Sequence, residues 1–124
     1  MTTNDQIVTN FVKEFEVGAP DPEKVGAYFT DDAVYHNIPM DPIVGKAAIM
    51  ATVAGWKNMM LSNGWEIRHQ IASGDIVMNE RIDRFKAGEK TIALPVVGVF
   101  ELRDGKIAAW RDYFDMNQFR TQFA

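Results

Sequence analysis

From Ser62 to Asp115 the chain runs at a two-residue period with few interruptions, and this stretch constrains the fold more than any other. Trp65, Ile67, His69 and Ile71 alternate with Glu66, Arg68 and Gln70. Gly74-Asp75 opens a second run, Ile76 to Phe85, which Ala87-Gly88 closes. Thr91 to Leu102 is apolar on both faces, and Asp104-Gly105 leads into a last run, Lys106 to Asp115. Side chains of a strand point alternately to opposite faces, so these runs predict four strands, one after another. Asp-Gly supplies the positive φ angles that a two-residue hairpin needs. The third run, apolar on both sides, belongs in the middle of the sheet.

Before Ser62 the rhythm is helical. Thr3 to Gln6 matches a capping box, and Ile7, Val8, Phe11, Val12 and Phe15 recur at helical spacing up to a stop near Gly18. Asp21-Pro22 offers an N-cap and a first-turn proline for a short helix ending about Phe29. Thr30-Asp31-Asp32 reads as a solvated turn and Ala33 to Ile38 as a strand. After the breakers Pro39, Pro42 and Gly45, a third helix carries Ile49, Met50, Val53, Trp56 and Met60 on one side. Asn117 to Phe123 reads as a short C-terminal helix. Helices followed by a meandering sheet predict one α+β domain over residues 1–124, with helices over one face of a curved sheet.

Three of the strand segments carry polar groups on faces that otherwise look inward. Arg81 and Asp83 share their face with Val77 and Phe85; Asp112 lies between Trp110 and Phe114; Tyr35 and Asn37 go with Ala33. A buried unpaired charge is costly, so two carboxylates and a guanidinium in one small core suggest a shared site. Close negative charges and burial raise the proton affinity of one carboxylate, while the arginine keeps the other ionised, a division suited to acid–base work. The plainer alternative is an ordinary Arg81–Asp83 salt bridge with Asp112 capping it.

The remaining residues exclude more than they suggest. With no cysteine, thiolate catalysis, disulfides and Cys-based metal sites are ruled out. A formal net charge of −4 disfavours nucleic acid as partner, and no apolar run approaches the roughly 20 residues of a membrane span. Met1-Thr2-Thr3-Asn4-Asp5 lacks the features of a signal peptide, so a cytoplasmic location is expected. His36 and His69 are not spaced as a metal pair; His36 faces away from Tyr35 and Asn37, and His69 reads as a core or interface histidine on an apolar face.

Tyr35-His36-Asn37-Ile38-Pro39, Glu80-Arg81-Ile82-Asp83, Gly98-Val99-Phe100 and the run Gly105 to Asp115 resemble, in order and spacing, the limonene-1,2-epoxide hydrolase family. The resemblance implies a cone-shaped α+β fold of the nuclear transport factor 2 and SnoaL-like kind, with a curved mixed sheet and helices over its concave face. It implies a cofactor-free homodimer acting on a small apolar epoxide and water. By motif, the catalytic set falls on Tyr35, Asn37, Arg81, Asp83 and Asp112, with Asp112 as base and Asp83 as acid. It places Trp56, Met60, Phe85, Leu94, Val96, Trp110 and Phe114 around the substrate, though each is also an ordinary core position. Arg111, Tyr113 and Asp115, on the opposite face of the last strand, are candidates for the dimer contact. An isomerase or cyclase on the same fold would explain one carboxylate and a tyrosine but not the Arg81–Asp83 pair; a non-catalytic binding module would need none of the three polar motifs.

Overall fold

The computed structural model describes residues 2–123. Helix α1, Asn4–Lys13, begins at the expected capping box: Gln6 N donates to Thr3 Oγ1 at 3.1 Å and Thr3 N to Gln6 Oε1 at 3.0 Å. It ends five residues before Gly18, because Val17–Gly18 instead form a short strand, β1. Helix α2, Pro22–Gly26, is capped by Asp21, whose Oδ1 accepts from Glu23 N at 2.9 Å. It stops short of Phe29, which already belongs to strand β2, Phe29–Asn37. Thr30-Asp31-Asp32 is therefore not a turn but the irregular start of that strand, where the register slips between Phe29 and Val34. The acidic pair is exposed as expected, with Asp32 bound to Arg103 at 2.6 Å.

After strand β3, Ile43–Val44, helix α3 runs over Lys46–Trp56. Met60 lies past its end, in the approach to strand β4, Leu61–Ser73. Strands β5, Ile76–Ala87, β6, Lys90–Arg103, and β7, Lys106–Tyr113, complete the meander. The β6–β7 hairpin turns on Asp104 (φ 52°) and Gly105 (φ 77°), the two positive angles that the Asp-Gly pair was expected to supply. Helix α4, Met116–Phe123, closes the chain, with Asp115 Oδ1 accepting from Asn117 N at 2.8 Å. Asp115, an interface candidate from the sequence, also caps this helix.

The seven strands form one sheet in the order β1-β4-β5-β6-β7-β2-β3, with β6 in the middle. All neighbouring pairs are antiparallel except β2 and β7, which run parallel. Helix α1 lies against β4 and β5, α3 against β2, and α4 against β6. The core fills the space between. Phe11 meets the rings of Phe15, Tyr28, Phe29, Phe100 and Trp110 edge-on, at centroid distances from 4.9 to 5.9 Å. Burying each such ring contributes about 1.5–3 kcal/mol, and edge-to-face geometry adds to that.

One irregularity matters for the site. In β4 the pairing with β5 slips between Ile67 and His69. A one-residue slip exchanges the two faces of a strand. His69 and Ile71, expected to point inward, are exposed, and His69 lies 3.9 Å from Glu80 at the surface. Gln70, expected outside, turns in and becomes half-buried.

Candidate active site

The inward-facing polar residues of three strands meet at one place. Arg81 is wholly buried and makes four hydrogen bonds. Its Nε donates to Asp83 Oδ1 at 3.0 Å, and its Nη2 donates to both Asp83 Oδ2 and Asp112 Oδ2, each at 2.9 Å. Its Nη1 donates to Asn79 Oδ1 at 2.9 Å. Asp112 receives a second bond, from Trp110 Nε1 to Oδ1 at 2.7 Å. Both carboxylates are therefore held oxygen by oxygen, and the guanidinium fills the space between them that a cation could otherwise take.

Strand order explains the meeting. Asn79 on β5 stands across from Gly98 on β6, Gly98 across from Asp112 on β7, and Asp112 across from Asn37 on β2. The glycine in that row is required by space. A Cβ at position 98 would overlap Arg81 Nη1 and lie 2.9 Å from Asn79 Oδ1 and 3.0 Å from Asp112 Oδ1. Across the parallel β2–β7 pair, Tyr35 stacks on Trp110 at 3.9 Å and donates from its hydroxyl to Asn37 Oδ1 at 3.2 Å.

The electrostatics follow from burial. Asp112 is pushed up from 3.8 to about 6, chiefly by loss of solvent; Arg81 opposes this, and the neighbouring Asp83 charge adds to it. Burial alone would lower the Arg81 guanidinium, but Asp112 and Asp83 outweigh it and raise it, so it stays charged. The Tyr35 hydroxyl is raised, first by burial and then by the Asp112 charge, and remains a neutral donor. Two carboxylates around one guanidinium leave one net negative charge in a dry place, which is why Asp112 takes up a proton more readily than an exposed carboxyl does.

A cavity of about 120 Å³ opens onto these groups. Tyr35, Asn37, Asp83 and Asp112 line it, whereas Arg81 does not reach its wall. Of the seven side chains placed around the substrate from the sequence, Trp56, Met60, Phe85, Leu94, Val96 and Phe114 line it. Trp110 does not. It is fully buried under Tyr35 and spends its indole N–H on Asp112. Met40, Ser62, Trp65 and Phe119 also face the cavity, unanticipated from sequence. Asn79 was missed as well, although its odd position in β5 puts it on the face of Arg81 and Asp83. His36 faces away, its Nε2 2.8 Å from Met40 O, and holds the turn after β2.

Comparison with known proteins narrows what such a site does. The sequence profile described as the limonene-1,2-epoxide hydrolase catalytic domain matches residues 2–124. Epoxide hydrolase EphG of Mycobacterium tuberculosis strain H37Rv is 38% identical over 98 residues, covering 77% of this chain; the match spans 64% of that relative's length. A solved M. tuberculosis LEH-like epoxide hydrolase superimposes with a TM-score of 0.82 at 30% identity, over 96% of this chain and 87% of that one. A Catenulispora acidiphila protein with a ketosteroid isomerase-like fold superimposes with a TM-score of 0.83, over 97% and 93% of the two chains. At 21% identity that likeness shows the fold alone, which is the fold expected from the sequence resemblance.

Proposed function

Because the chain belongs to the limonene-1,2-epoxide hydrolase family, we propose that it adds water to a small apolar epoxide, giving a vicinal diol in one acid–base step. The observation that carries this is a single Arg81 nitrogen, Nη2, lying 2.9 Å from an oxygen of each of two carboxylates that face an apolar cavity. An isomerase needs one base and leaves that arrangement without a purpose.

Position supports the role given to each residue. Tyr35 and Asn37 stand on the strand next to Asp112, and Asn37 is directly across from it. A water held by those two groups is therefore beside Asp112 rather than Asp83, which is three strands away from Asn37 in the sheet. Asp112 takes a proton from that water as its oxygen bonds to an epoxide carbon. The carbon–oxygen bond of the ring breaks, and Asp83, as the acid, gives a proton to the leaving oxygen. The step requires one proton on Asp83 as the water attacks and leaves one on Asp112, whose raised proton affinity suits it to accept it; exchange with solvent restores the start. Arg81 keeps the two carboxylates together while the proton changes sides. Substrate is held by Trp56, Met60, Phe85, Leu94, Val96 and Phe114, which supply apolar surface and select by size more than by identity.

The same reading takes the protein to be a homodimer, with the outer sheet face around Tyr113 and Val97, both exposed, as the contact. Light scattering in solution tests that part. The reaction is tested by diol formation from terpene, cycloalkene and aryl epoxides, wild type beside Asp112→Asn. Diol from wild type alone supports the assignment, and equal diol from both proteins refutes it. The single step is tested by one turnover in heavy-oxygen water. Label must appear in the diol; oxygen delivered from an enzyme carboxylate would mean an ester intermediate instead.

A further inference from the structure

Arg81 has one hydrogen bond that neither carboxylate accounts for, and following it leads out of the site to the molecular surface. Nη1 donates to Asn79 Oδ1 at 2.9 Å; Asn79 Nδ2 donates to Gln70 Oε1 at 3.0 Å. Gln70 Nε2 then donates to three acceptors of α1: Asp5 Oδ1 at 2.8 Å, Thr9 Oγ1 at 2.9 Å and Asp5 O at 3.1 Å. Two side-chain amides thus join a buried guanidinium to a carboxylate in the first turn of α1.

The direction of this chain is determined at both ends. A guanidinium only donates, so Asn79 must turn its oxygen to Arg81 and its nitrogen to Gln70. An ionised carboxylate and a carbonyl only accept, so Gln70 must turn its nitrogen to Asp5 and its oxygen to Asn79. Thr9 adds no ambiguity, since its hydroxyl hydrogen is already donated to Asp5 O at 3.0 Å. Reversing either amide sets two donors or two acceptors face to face, one of the pair at Asn79, which is 3% exposed. Each amide therefore holds the other in the one orientation that gives Arg81 an acceptor.

We infer that Asn79 and Gln70 form a positioning relay that anchors Arg81 Nη1 from α1 and so keeps Nη2 shared between Asp83 and Asp112. Neither residue touches the cavity. Without the anchor, the guanidinium is free to turn about its own axis and pair with one carboxylate by both terminal nitrogens, abandoning the bridge. The inference rests on the epoxide hydrolase reading for its effect on rate, but not for its effect on Arg81.

The experiment compares wild type with Asn79→Leu and with Gln70→Leu, using cyclohexene oxide as the probe. Gln70 is only half-buried, so its variant tests the relay if Asn79→Leu does not fold. Expected is a fall in kcat of about 10- to 100-fold with KM changed less than about threefold, since about an ångström of misplacement costs on that order. With Arg81 loosened, the groups facing Asp112 are Asp83, Trp110 and Tyr35, none of them positive. The alkaline limb of kcat/KM then moves to higher pH, which a general loss of packing does not cause. Independently of turnover, hydrogen exchange at Arg81 Nε–H, followed by NMR without substrate and identified by its loss in Arg81→Lys, must accelerate in both variants. Unchanged exchange overturns the relay whatever the kinetics. Faster exchange in a protein whose wild type opens no epoxide upholds the relay and refutes the epoxide hydrolase reading instead.

Discussion

Replacing Gly98 by alanine adds one methyl group at the most crowded point of the site, and its consequence can be worked out from distances. Gly98 has an ordinary strand conformation, so alanine carries no dihedral penalty there. The new Cβ would overlap Arg81 Nη1 and stand 2.9 Å from Asn79 Oδ1 and 3.0 Å from Asp112 Oδ1. Comfortable contact is about 3.5 Å or more, so the guanidinium must retreat by about an ångström. A free arginine tip would do so at little cost. This one is tied by four hydrogen bonds and is completely buried, so retreat breaks at least the bonds to Asn79 and Asp112. Breaking a buried ionic group apart costs about 3–5 kcal/mol, a large part of the roughly 5–15 kcal/mol that holds a domain together. Loss of the bridge should lower kcat/KM about 100-fold or more. The measurements are a urea melt and hydrolysis of cyclohexene oxide, with Gly55→Ala as the control. Gly55 lies in α3 with nothing within 4 Å of a new Cβ, so that change should leave activity alone and add about 0.5–1 kcal/mol. A Gly98→Ala protein with wild-type melting and wild-type activity would mean that Arg81 is not held where these distances place it.

Other outcomes follow from the same geometry. The Asp112 carboxyl stands at about 6 in the fold against an ordinary 3.8. A group raised on folding adds stability below its ordinary value and loses that contribution as pH rises through the folded one. Wild type should therefore lose stability relative to Asp112→Asn between pH 4 and pH 7, as read by urea melts at several pH values. The proposed step needs one proton within the two carboxyls, and Asp112 releases its own at about 6, so kcat/KM for wild type should fall as pH rises beyond that; a flat profile from pH 5 to pH 9 would contradict the requirement. Tyr35→Phe keeps the stack on Trp110 but removes the hydroxyl bonded to Asn37, so kcat should drop about 10- to 100-fold with stability changed by about 1 kcal/mol, checked by steady-state kinetics and denaturation. Phe119, a half-buried cavity residue against Phe85 and Phe114, should when replaced by alanine cost about 1–2 kcal/mol, less than the 3–5 of a fully buried ring. The same variant should shift preference toward bulkier epoxides, measured as relative kcat/KM across a size series.

The strand runs, their faces and the hairpin at Asp104-Gly105 were legible in the amino-acid sequence because each depends only on neighbours along the chain. Strand geometry alone put Arg81 with Asp83 and Asp112 with Trp110 and Phe114 on inward faces. Local pattern could not say which strands lie side by side. The parallel pairing of β2 with β7, which sets Asn37 across from Asp112, joins segments some 75 positions apart along the chain. Nor could it foresee the slip between Ile67 and His69, because a bulge is a property of two paired strands. That slip sent His69 outward and turned Gln70 in toward Asn79. Trp110 was likewise recognised as an inward aromatic, but only packing beneath Tyr35 made it a hydrogen-bond donor to Asp112 instead of a cavity wall. Periodicity determines which way a side chain points; what it meets there is decided by pairing and packing between distant parts of the chain, where one residue of register reverses every contact.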